Sequence, residues 1–399
     1  MKYDFTSIME RHGKDSIAVD NAPGSEYVKE DFDQIPMWIA DMNFPTVPTI
    51  QEEIIKRTKH PAFGYFNPSD AYYDSIKEWQ KTRNGVTDLK NEDIGYENGV
   101  LGGVSSALAV LCSKGDYVLL HSPTYIGFNH VNNENGYHMV HSPLCLDDKG
   151  VWRMDYEDMD EKIKKYHIHA AIFCSPHNPT GRVWEKWEIE KAMEVFERNQ
   201  VYVISDEIWS DLILDGYKHT PTQSVSNYAR THTIALYAPS KTFNLAGLIG
   251  SYHIIYDPWL RDRIRKEEET THYNDMNVLS MHALIGAYKP EGHEWLDELC
   301  HVLTENTTYG WQYIKDHFKG VQCAKPQGTY MLLLDCREWC EAHHMTIDEL
   351  FVKGCEVGVM WQNAKHFNVE YGIRMNTAVP LSRVREAFER LDHYVFNAR

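Results

Sequence analysis

One recurring pattern limits what this chain can fold into more than any other. A short, continuous apolar run passes into a polar loop, and a helical pattern follows. Tyr117-Val-Leu-Leu-His121 runs into Ser122-Pro-Thr-Tyr125, and Ala170-Ala-Ile-Phe-Cys174 into Ser175-Pro-His-Asn-Pro-Thr-Gly181. Val201-Tyr-Val-Ile-Ser205 runs into Asp206-Glu207, and Thr233-Ile-Ala-Leu-Tyr237 into Ala238-Pro-Ser-Lys241. Strands apolar on both faces, separated by helices, predict an α/β fold with a mostly parallel sheet covered on each side. Ligands of such sheets bind beyond the carboxyl ends of the strands. The unusual polar residues all follow the apolar runs, so they are expected to converge in one crevice.

The pattern changes near residue 288. Lys289-Pro-Glu-Gly-His293 is a break, Tyr330-Met-Leu-Leu-Leu-Asp335 reads as a strand, and Val384, Phe388, Leu391 and Val395 mark one apolar face of a last helix. The expected division is an irregular N-terminal segment, 1–48, packing with the small domain, a large domain, 49–288, and a small α/β domain, 289–399. A chain of 399 residues suits two such domains.

Composition excludes several function classes. With 58 acidic and 40 basic residues the net charge is −18, which disfavours nucleic-acid and anionic-membrane partners. No apolar stretch follows Met1-Lys2-Tyr3-Asp4-Phe5, and the longest one, Val100–Cys112, is short and broken by glycine and serine. A cytoplasmic protein is expected. The eight cysteines include no C-x-x-C pair and read as free thiols. Among 21 histidines the closest pairs, His167/His169 and His343/His344, lack carboxylates at ligand spacing, so no metal site is expected.

Five residues or motifs carry chemistry. Lys241 directly follows a buried strand, where an amine needs a depressed pKa or a covalent partner unless it is simply a surface lysine at a strand end. Asp206 closes a strand and needs a cation such as a protonated ring nitrogen, or else caps a helix. Asn178 sits in a loop set by two prolines and a glycine, and its amide could donate to a phenolate or only shape the turn. Gly99 opens a helical run whose amides could seat a phosphate. Arg374, in Tyr371-Gly-Ile-Arg-Met-Asn376, wants a carboxylate or phosphate, or makes a structural ion pair.

In this order the motifs resemble the class I/II pyridoxal-phosphate aminotransferase superfamily, of fold type I. Trp38-Ile-Ala-Asp-Met42, Ser175-Pro-His-Asn-Pro-Thr-Gly-Arg-Val-Trp184 and Ala238-Pro-Ser-Lys-Thr-Phe-Asn-Leu-Ala-Gly247 are similar to its MalY/PatB-type cystathionine β-lyase group. The resemblance runs from Tyr3 to the last helix. It implies a seven-stranded sheet and a pyridoxal 5′-phosphate cofactor carried by Lys241, which later moves the substrate's Cα proton. Asp206 would pair with the ring N–H⁺, Asn178 with the phenolic oxygen, and Tyr125 would stack on the ring. The Val100 and Leu101 amides and Ser240 would hold the phosphate, with Trp209 beside the ring. Tyr65 would reach the phosphate of a neighbouring subunit, implying a homodimer. Arg374, helped by the backbone near Ala40 and by Asn178, would clamp the substrate α-carboxylate.

The implied activity is α,β-elimination from L-cystathionine or a related cysteine S-conjugate, releasing thiol, pyruvate and ammonia. An L-amino-acid aminotransferase would use the same first steps, and a non-catalytic cofactor-binding regulator is the remote third reading. The sequence departs from the family at four places. Ile249 stands where many aminotransferases have arginine, which favours the lyase. Trp209 stands where lyases often have histidine and many aminotransferases tyrosine. Asn43 replaces an aspartate common in the lyase motif, and Trp361-Gln-Asn-Ala-Lys-His-Phe367 lacks the usual Pro-Gly.

Overall fold

A computed structural model describes residues 1–271 and 275–397. The central sheet has seven strands: β1 (Ile94–Glu97), β2 (Tyr117–Ser122), β3 (His138–Pro143), β4 (Ala170–Cys174), β5 (Tyr202–Asp206), β6 (Thr233–Tyr237) and β7 (Ser251–Ile254). Their order is β1-β7-β6-β5-β4-β2-β3. The ladders from β3 to β6 are all parallel, whereas β7 runs antiparallel to both of its neighbours. Every residue of β4, β6 and β7 is buried, as strands covered on both faces must be. The expected runs match these strands to within one residue. Asp206 closes β5, as the sequence suggests.

Helices cover the sheet for legible reasons. Lys186–Asn199 starts at a capping box between Glu185 and Glu188 and buries Ile189, Ala192, Met193 and Phe196, one face at helical spacing. Val100–Leu111 is mostly apolar and lies against the sheet centre, with Val104, Ala107 and Leu108 fully buried.

A second sheet has four antiparallel strands, β8 (Gln322–Cys323), β9 (Met331–Asp335), β10 (Gln362–Asn363) and β11 (Gly372–Asn376), in the order β8-β9-β11-β10. Its core includes Leu332, Trp361, Ile373 and Phe388. The long helix Pro290–His317 contributes to both cores, through Trp295 and Leu299 to the first and Ile314 to the second. The N-terminal segment also does both: Ile35–Pro36 pairs with Val359–Met360, while Phe5 packs on Phe44 and Trp295. The last α-helix, Leu381–Leu391, ends earlier than its apolar spacing suggests and continues as a π-helical turn, Asp392–Phe396. The wider turn buries Val395 and Phe396 together, with Phe396 stacked 4.2 Å from Phe318.

Candidate active site

The crevice expected beyond the strands is a cavity of about 290 Å³. Ala40, Val100, Leu101, Tyr125, Asn178, Asp206, Trp209, Ser240 and Lys241 all line it. Arg374 reaches the same site from β11 through Asn178. Tyr65 does not: it lies in an irregular segment and is fully exposed. Cys174, Ile208, Ala246 and Ile249 also line the cavity without having been singled out as binding residues.

Each group is placed by its element. Asp206 ends β5 with its side chain 4% exposed. Its carboxylate accepts the Ile208 amide at 3.1 Å and meets no cationic group at bonding distance among the described residues. Burial, and next the neighbouring Glu207 charge, push it up to about 7, although the Ile208 amide and Lys241 oppose this. It is a half-satisfied acid facing a cavity, the state expected of a group awaiting a protonated partner.

Lys241 lies in a single helical turn, Pro239–Thr242, just past β6. Its amine donates to the Ala40 carbonyl at 2.9 Å. Desolvation and the charge of Arg374 pull it down to about 8, against the opposing pull of Asp41 and Asp206. A sizeable neutral fraction therefore exists near neutral pH, as a nucleophile or base requires.

Arg374 is 3% exposed in the middle of β11. Nη1 donates to Asn178 Oδ1 at 3.1 Å, and Nη2 donates to Gln362 Oε1 at 2.6 Å and the Trp38 carbonyl at 3.2 Å. Its guanidinium lies 4.4 Å from the Phe367 ring centroid. Its Nε is buried with no partner, and no carboxylate pairs with it among the described residues. Burial pulls it down to about 10, so it stays cationic at neutral pH. An anion-binding fork held only by neutral oxygens is preorganised for a carboxylate. Asn178 spends its oxygen on Arg374, which leaves its Nδ2 to donate to a ligand.

The opposite end of the cavity is a helix start. Gly99 has φ 84°, which a side-chain-bearing residue rarely adopts, and turns the chain from β1 into Val100–Leu111. The first amides of a helix have no intrahelical acceptor and favour anions. Ile249 faces this region, also at positive φ (58°), a strained conformation for a β-branched residue.

The segment 38–42 ties the parts together. Asn376 Nδ2 donates to the Ile39 and Asp41 carbonyls at 2.8 Å each. Asn244, beside Lys241, donates to Asp41 Oδ1 at 2.9 Å and accepts the Met42 amide at 3.0 Å. Asn43 accepts from Arg11 at 3.0 Å. Trp209 packs edge-on against Tyr330 with ring centroids 4.8 Å apart.

Sequence reasoning missed Gln362 as a partner of Arg374. The only available signal was a polar residue inside the apolar run before β11, which does not reveal that it sits opposite Arg374 in the ladder. Away from the cavity, Glu97, His253 and Glu268 bring one ligand atom each within 4.8 Å of the others. The pairs His167/His169 and His343/His344 are not part of that group. His253 Nδ1 lies 2.7 Å from Glu97 Oε1, and burial pulls the imidazole down to about 4.

The pattern of the aminotransferase class I and II family matches residues 33–391. The chain is 35% identical to cystathionine beta-lyase PatB of Bacillus subtilis over 76% of this chain and 78% of that protein. It superposes on the pyridoxal-phosphate-bound C-S lyase of Staphylococcus hominis with a TM-score of 0.88 at 29% identity, covering 98% of both chains. Cystalysin of Treponema denticola, solved with a pyridoxal 5′-phosphate cofactor, gives a TM-score of 0.90 at 29% identity, again over 98% of both chains.

Proposed function

The chain belongs to the class I and II aminotransferase family, and from that membership we propose that it is a pyridoxal-phosphate-dependent carbon–sulfur lyase acting on L-cystathionine or a related cysteine S-conjugate. The observation that carries this reading is the convergence of Lys241, Asp206, Asn178 and Arg374 on one cavity whose other end is a helix start. The donor set fits the cofactor: unpaired helix amides and Ser240 for the phosphate, Asn178 Nδ2 for the phenolic oxygen, the Asp206 carboxylate for a protonated ring nitrogen and Lys241 for the aldehyde carbon. Tyr125 and Trp209 supply flat walls. When bound, the cofactor supplies a reversible acceptor for the substrate amine and an electron sink at Cα.

The chain's own residues do the rest. Arg374 forks the α-carboxylate, with Gln362, Asn178 and the Trp38 carbonyl fixing its plane, so the substrate enters in one orientation. Asp206 holds the proton at the ring nitrogen. Lys241, as a neutral amine, would take the Cα proton. The electron pair left at Cα forms the bond to Cβ, and the sulfur departs with the pair of the broken Cβ–S bond. Hydrolysis of the remaining three-carbon unit gives pyruvate and ammonia. Ile249 at the phosphate end, where many aminotransferases place an arginine, favours this outcome over transamination.

The wider organisation is part of the same proposal: a large unit of 49–288, a small unit of 289–399, and the segment 1–48 packing with the latter through Ile35–Pro36 while Phe5 and Phe44 join the first core. A homodimer brings Tyr65 to the neighbouring cavity, which accounts for a fully exposed tyrosine beside the exposed Phe63. Eight cysteines without a disulfide suit a reducing cytoplasm.

The test is an incubation of cofactor-loaded protein with L-cystathionine and no added keto acid. Pyruvate, ammonia and a free thiol should appear in equal amounts. Lys241→Ala should lower that rate by about 10²–10⁴-fold. A strict keto-acid requirement would assign the chain to the aminotransferases instead.

A further inference from the structure

Behind Asp206 lies a second carboxylate that the reaction does not touch. Glu207 is fully buried and does not line the cavity, because successive residues leave a strand on opposite sides. Both of its oxygens are doubly engaged. Oε1 accepts from Ser205 Oγ at 3.0 Å and the Thr222 amide at 2.9 Å. Oε2 accepts from Tyr237 Oη at 2.8 Å and lies 2.8 Å from His219 Nε2. The Glu207 amide donates to Leu236, which locks the residue against β6. Burial alone would push this carboxyl up. The His219 contact, the Thr222 amide and the Tyr237 hydroxyl outweigh it and hold Glu207 below the usual carboxylate range. It is thus a fixed negative charge one residue from Asp206. The titratable groups facing the pair are Lys241, Tyr125 and Cys174 on the Asp206 side, and His219, Tyr237 and Tyr252 on the Glu207 side.

We propose that Glu207, anchored by Ser205, Thr222, Tyr237 and His219, is a positioning residue that acts through Asp206 and keeps the ring nitrogen of the bound cofactor protonated. A fixed negative charge in a water-poor interior raises the proton affinity of the whole Asp206–ring-nitrogen pair, wherever the shared proton sits. His219 modulates it, since a proton on its imidazole would offset the Glu207 charge. The inference rests on the cofactor assignment made above.

The experiment loads the holoenzyme with ¹⁵N-ring-labelled pyridoxal 5′-phosphate and follows the nitrogen chemical shift against pH. In Glu207→Gln the ring nitrogen should lose its proton at least about one pH unit lower than in the native protein. In His219→Gln, which keeps a donor to Glu207 but removes the titratable ring, it should lose its proton at the native pH or higher. Loosened packing would move both variants alike, so opposite or unequal shifts are diagnostic. An unchanged titration in Glu207→Gln overturns the proposal. If Glu207→Gln does not fold, a fall in His219→Gln overturns it. Failure of the native protein to take up the cofactor would instead overturn the assignment on which it rests.

Discussion

At the scale of single residues, the site is a set of buried polar groups whose partners are incomplete without a ligand. Asp206 illustrates the energetic consequence. Its carboxyl titrates near 7 in the fold against 3.8 when unperturbed, so between those values the folded cofactor-free protein binds more protons than the unfolded chain. The contribution of this one group to native stability is therefore fully present below about pH 4 and is lost as pH rises through 7. Asp206→Asn removes that loss. The cofactor-free variant should be more stable than the native protein at pH 8, by roughly 2–4 kcal/mol, with the difference vanishing near pH 4. Chemical denaturation of both proteins at the two pH values measures this. Addition of cofactor should stabilise the native protein much more than the variant. That Lys241, Asp206 and Asn178 lie at or just past strand ends and share one cavity was legible in the sequence. The partners of Arg374 were not, because Asn178, Gln362 and Trp38 approach it from three separate parts of the chain.

At the scale of elements, continuous apolar runs were good markers of buried strands, and their lengths held to within a residue. Direction was another matter. Ser251–Ile254 carries no signal that it runs against its neighbours, since a strand buried on both faces has the same side-chain pattern whichever way it points. The end of the last helix was likewise set by Phe318 stacking on Phe396 rather than by its own spacing. Close helix packing adds a constraint of the same kind. Helices Pro48–Thr58 and Val278–Ala287 touch at Gly286, whose carbonyl accepts from Thr49 Oγ1 at 2.8 Å. A Cβ on Gly286 would meet the Thr49 carbonyl oxygen at 2.5 Å and Ile50 Cα at 2.8 Å. Both are backbone atoms, so Gly286→Ala must part the helices. It should cost about 1–3 kcal/mol in urea unfolding.

At the scale of the whole molecule, the acidic surface and the local site obey different rules. A net charge of −18 repels polyanions in bulk, yet two cationic side chains, Arg374 and Lys241, and a helix start lie at one cavity inside the fold. The dimer proposal is tested at this scale. The native protein should elute at about twice 46.4 kDa. Mixed and refolded Lys241→Ala and Tyr65→Phe chains should recover activity beyond the sum of the separate variants. One of the two cavities in a hybrid would then carry both an intact Lys241 and the Tyr65 of the other chain. Absence of recovery would place Tyr65 outside the neighbouring site.

The sequence by itself determined the sheet type, the positions of the polar residues at its strand ends and the glycine that opens the helix Val100–Leu111. These follow from local patterning, which chain physics expresses within a few residues. Only the tertiary structure decided that Arg374 is held by neutral oxygens, that Lys241 rests on the Ala40 carbonyl, and that Asp206 is backed by the buried Glu207 network. Those facts depend on which distant segments share a dry interior, where one hydrogen bond or charge shifts a proton equilibrium that local sequence cannot encode.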